Sequence, residues 1–124
     1  SPEDMATLGR LGVTASVQPV FDQLWGGTES LYAQRLGADR ARPMNPYASL
    51  NRAGVALAFG SDTPITSFGP WAAVRAAAYH HTEDERLTVR AAFNAHTTMA
   101  SGRWAMSSGI CWLCLPGSSS ASTI

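Results

Sequence analysis

The chain offers two strand-like apolar runs, "VTASVQP" at residues 13–19 and "VALAFG" at residues 55–60, each followed by helix-prone sequence. Strands separated by helical crossovers pair in parallel. Two parallel strands can neither cover both faces of their sheet nor pair both outer edges. Something has to complete the sheet, either further chain or other copies. That requirement predicts a fragment of a larger α/β assembly.

Helix signals frame the two runs. Ser1, Pro2, Glu3 and Asp4 read as a helix start, with Ser to cap free N–H groups and acids to complement the dipole. Met5, Leu8 and Leu11 mark its apolar face and Gly12 ends it. Residues 21–36 are expected as a loop and then a helix anchored by Trp25, Leu31 and Leu36, with Gly26 and Gly27 as a break. "GADRARPMNP" reads as a connection, because each proline biases its predecessor away from helix. Asn45 and Pro46 then predict a short helix through "YASLNRAG". "TPITSFGP" reads as a long turn, "WAAVRAAAYHH" as an alanine-rich helix, and Thr88 as the cap of "VRAAFNAHT".

The length, 124 residues, allows one ordinary domain and not two. Nine basic residues, all Arg, balance nine acidic ones. That balance gives no reason to expect nucleic acid or an anionic membrane as partner. The chain shows no apolar stretch of the roughly 18 to 20 residues that a spanning helix needs, and no export signal. A cytoplasmic location is the expectation.

Asp62 is the first candidate for chemistry. Ligand sites of parallel α/β folds form where loops leave the carboxyl ends of strands, and Asp62 follows Phe59 there. Its alternative role is to close the Thr-Pro turn through its side chain. Gln18 ends the other run and points to the same mouth, or else satisfies backbone groups at the strand end. His80 and His81 are expected at a solvated helix end, and His96 on a late-helix surface, because none shows the spacing of a metallohydrolase helix. Arg75, Arg86 and Arg90 read as solvated faces, and "PWAAVRAAAY" as packing. Cys111 and Cys114 form a lone C-x-x-C, with neither the strand-to-helix context of a redox motif nor a second ligand pair.

"LGVTASVQP", "NPYASLNRAGVALAFGSDTPI", "GPWAAVRAA" and "LTVRAAFNAHT", in that order, resemble the C-terminal part of the amidohydrolase superfamily, in the branch of the N-substituted formamide deformylases. The resemblance covers residues 1 to about 97. It implies the last two βα units of a (β/α)8 TIM-type barrel, with "TASVQP" as the seventh strand and "VALAFG" as the eighth. It also implies a divalent metal, usually zinc, bound by a His-x-His pair and further histidines on earlier strands. In that frame Asp62 is a metal ligand and the catalytic proton shuttle for attack of metal-activated water on a small amide-like substrate, and Gln18 is a substrate-binding contact. No His-x-His occurs in this chain. A catalytic zinc needs about three protein ligands plus water, so the chain alone is expected to bind no metal tightly and to be inactive.

Residues 98–124 form a different text, near-uncharged except for Arg103 and rich in Ser, Cys and Trp. This irregular, apolar and Ser-rich tail resembles the product of a shifted reading frame in GC-rich coding sequence. Ile110, Trp112, Leu113 and Leu115 within it have to be buried against this chain or in an oligomer, or else stand as an aggregation hazard. A second functional class follows: a non-catalytic protein that self-associates or binds a partner, as a homo-oligomer joined through its sheet edges or its tail.

Overall fold

We describe residues 1–97 of the chain from a computed structural model. Their elements are α1 (Pro2–Arg10), β1 (Thr14–Val17), α2 (Pro19–Trp25), α3 (Leu31–Leu36), α4 (Ala38–Ala41), α5 (Tyr47–Arg52), β2 (Ala56–Phe59), α6 (Pro70–Ala78), a 3-10 turn (Glu83–Glu85) and α7 (Val89–His96). The tail and both cysteines lie outside the described residues. Among the described residues no helix is long and apolar enough to cross a membrane.

The two strands pair in parallel, with Thr14 opposite Ala56 and Val17 opposite Phe59. The ladder runs one step further, where the Gly60 N–H donates to the Val17 carbonyl at 3.0 Å. Side chains alternate along a strand, and the pattern fits this pairing. Leu57 and Phe59 join a buried cluster with Tyr47, Ala48, Ala73, Val74, Ala77, Leu87, Ala92 and Ala95, against which Ala15 and Val17 also pack. Burying Leu57 or Phe59 contributes about 1.5–3 kcal/mol each. Thr14, Ser16, Ala56 and Ala58 take the opposite face, and Ser16 is exposed. The described chain is thus a mixed helix-and-strand unit with a small two-stranded parallel sheet.

Several boundaries differ from the sequence expectation. Strand β1 stops before Pro19 as expected, but Pro19 also starts helix α2 where a loop was expected, because proline at a first helical position loses no hydrogen bond there. The connection 37–46 contains the four-residue α4. Helix α5 forms without a side-chain cap, after Asn45 at φ 56°. Helix α6 stops at Ala78, so His80 and His81 lie beyond it and not on it. Thr88 caps α7 as expected, its hydroxyl accepting from the Ala91 N–H at 3.2 Å.

Candidate functional site

Gln18 and Asp62 stand at the same end of the sheet, just past Val17 and Phe59. A Cβ built on Gly60 would lie 3.9 Å from Gln18 Nε2, so the Gln18 side chain runs beside the β2 exit. Its amide does not cap α2, and its backbone carbonyl accepts a 3.3 Å hydrogen bond from the Tyr47 hydroxyl. Burial raises the pKa of that hydroxyl, and the charge of Asp22 adds to the effect. The bond therefore keeps its proton and fixes the β1 exit.

Asp62 sits at φ 53°, in the left-handed region that ordinary residues avoid and aspartate tolerates. Other groups hold its turn. Ser61 Oγ meets Thr63 Oγ1 at 2.8 Å, Thr66 Oγ1 donates to the Ser61 carbonyl, and the Ile65 N–H donates to the Asp62 carbonyl at 2.8 Å. The peptide bond from Thr63 to Pro64 is cis. The Asp62 carboxylate takes part in none of these bonds and is exposed. The turn presents the carboxylate and does not consume it.

His96 lines a small cavity of ≈ 40 Å³ with Gly60, Ser61 and Phe68, beside the same turn. It was expected on the surface, yet its Nδ1 is buried without a hydrogen-bond partner. Burial lowers its pKa, so the imidazole is held neutral. The cause is helical phase: α7 buries Ala92 and Ala95, and His96 follows them into the gap.

A second constellation escaped the sequence reading. Asp22, 4% exposed, accepts from the His81 N–H and from His81 Nδ1, both at 3.0 Å on Oδ2. Its Oδ1 lies 3.2 Å from Nε2 of His80, at ion-pair distance but off hydrogen-bond alignment. His80 is 1% exposed, with its ring edge-on to Tyr47 at 5.3 Å, and the Thr82 N–H donates to its Nδ1 at 3.0 Å. The expectation of a solvated histidine pair is therefore corrected for His80, which is buried, while His81 remains exposed as expected but is tied to Asp22. The chain leaves α6 after Ala78 and turns inward, and the buried carboxylate of α2 captures the turn. Arg86 is also more than a solvated side chain, since its Nε donates to the His80 carbonyl at 3.0 Å. Nothing local could have revealed the partnership, because Asp22 and His81 are 59 residues apart.

His81 and Asp22 border an open cleft of ≈ 510 Å³, also lined by Thr28, Arg42, Glu83 and Asp84, which includes neither Gln18 nor Asp62. Among the described residues no three His, Cys, Asp or Glu side chains are grouped to hold a metal ion. Asp62 alone does not make the three-ligand set of a catalytic zinc. The described residues therefore do not by themselves fit a catalytic metal.

No curated protein and no solved structure matches the chain. The pattern of the amidohydrolase family matches residues 1–108. With that match over most of its length, the chain belongs to the amidohydrolase family.

Proposed function

We propose that this chain is the C-terminal portion of a metal-dependent amidohydrolase barrel, supplying the last two βα units of a (β/α)8 fold whose complete form hydrolyses C–N bonds of small amide-like substrates. The observation that carries the reading is the uncommitted Asp62 carboxylate, exposed at the carboxyl end of a parallel strand in a chain of this family. Asp62 contributes one carboxylate to a divalent metal site, zinc in the first instance, whose other ligands come from outside this chain. Gln18, beside the β2 exit, faces the substrate. The ordered segments resemble the formamide deformylase branch, and the chain by itself is inactive.

Complementation tests this. The chain is co-expressed with the first six strands and helices of an amidohydrolase-family barrel, and zinc content and amide hydrolysis are measured. Zinc-dependent hydrolysis that appears with the parent chain and is lost with Asp62→Asn supports the reading. Hydrolysis that survives Asp62→Asn overturns the role of Asp62, and stoichiometric zinc in the chain alone overturns its incompleteness.

One observation favours a second reading, self-association: among the described residues each strand of the two-stranded sheet pairs on one side only. Light scattering on the purified chain decides whether other copies complete the sheet.

A further inference from the structure

Four large apolar side chains stand in solvent around α6 and α7: Phe68, Trp71, Val89 and Phe93. Trp71, 66% exposed, stacks on Phe93 across the two helices, with ring centroids 5.6 Å apart and an interplanar angle of 25°. Val89 and Phe93 are one helical turn apart on α7 and share a face. Phe68 borders the small cavity that His96 also lines, which places it along the same side of α7. Lone exposed apolar residues need no explanation, but an aromatic stack extended by neighbours on both helices is a surface that gains from being covered.

The chain itself continues from this place. Helix α7 ends at His96, one turn past Phe93, and the chain beyond it carries Ile110, Trp112, Leu113 and Leu115 with Arg103 as its one charge. The dozen residues between Thr97 and Ile110 could span about 40 Å when extended. A short tether of this kind gives an effective concentration on the order of millimolar. A second copy at micromolar concentration competes at a disadvantage of about a thousandfold for the same surface. We propose that the apolar segment 110–115 of this chain docks intramolecularly on the ledge formed by Trp71 and Phe93.

The native cysteines supply the probe. In the full chain carrying Cys111→Ser, so that Cys114 has no neighbouring thiol, a second thiol is introduced by Arg90→Cys beside Phe93 or, as control, by Glu3→Cys on α1. Disulfide formation is followed under mild oxidation at micromolar protein. Docking predicts an intramolecular bridge at least tenfold faster from position 90 than from position 3, with the difference abolished by Trp71→Ser. It also predicts the same loss with Leu113→Ser, which leaves every described residue intact. Equal rates from both positions, or covalent dimers as the main product, would overturn the proposal.

Discussion

Asp22 and Asp62 each follow a parallel strand, and their surroundings set them to opposite work. Asp22 is enclosed by His80, His81 and Gly26, whose added Cβ would lie 2.3 Å from Asp22 Oδ1. Asp22→Ala leaves the His81 donors without their acceptor and opens a void, a loss of about 3 kcal/mol. For Asp62→Gly, relief of the left-handed backbone and the greater freedom of unfolded glycine oppose each other, so the net change stays under about 1 kcal/mol. Urea denaturation of both variants measures this, and a larger loss at position 62 than at 22 would reverse the assignment. His96 adds a pH signature. Its pKa is lowered by burial in the fold, so its contribution is present above the unfolded value of about 6.5 and is lost as pH falls through the lower folded value. The stability difference between the parent and His96→Phe is therefore expected to be flat above pH 7 and to move in favour of the variant as the solution is acidified. A difference that does not change with pH would show that His96 is not held neutral. The exposed position of Asp62 past β2 was legible because it follows an apolar run; the buried places of Asp22, His80 and His96 were not, because each depends on a partner or a gap far away in sequence.

At the scale of elements, capping and apolar spacing were enough to find α1, α7 and both strands. Ser1 caps α1 as expected, with Asp4 completing a capping box, and Thr88 caps α7. Helices α2 and α4, which lack a side-chain cap, lay hidden behind prolines and short connections, whereas α5, also uncapped, was expected from Asn45 and Pro46. Gly9 shows how packing inverts a propensity. In an exposed helix interior Gly→Ala gains roughly 0.5–1 kcal/mol. Here the added Cβ would lie 1.9 Å from the Ala53 carbonyl oxygen, which backbone cannot vacate cheaply. Gly9→Ala is therefore expected to destabilise by about 1–3 kcal/mol as α1 is pushed from the end of α5. Thermal unfolding gives the sign, and a rise in Tm would mean that α1 does not approach α5 this closely.

For the whole molecule, the inference that two parallel strands need completion came from the sequence alone, and the uneven distribution of the core is its structural counterpart. The cluster draws its buried members from residues 47–95, that is α5, β2, α6, Leu87 and α7. Helices α1, α3 and α4 bury no residue, and β1 reaches the core only through half-buried Ala15 and Val17. Helix α2 is the exception in the first half, tied to the segment after α6 through Asp22. Local opening free energies follow buried apolar contact. Hydrogen exchange should therefore reach the global unfolding limit for amides of β2, α6 and α7, with α2 close behind. Amides of α1, α3 and α4 should exchange at least tenfold faster, and those of β1 fall between, since β1 has one paired edge and a thin cover. The pattern discriminates between the two ways of completing the sheet. If copies of the chain add to the free edge of β1 in solution, its protection rises with protein concentration until it matches β2. Protection of β1 that equals β2 at every concentration would show that the sheet is already closed within one chain, and the requirement for further strands would fall.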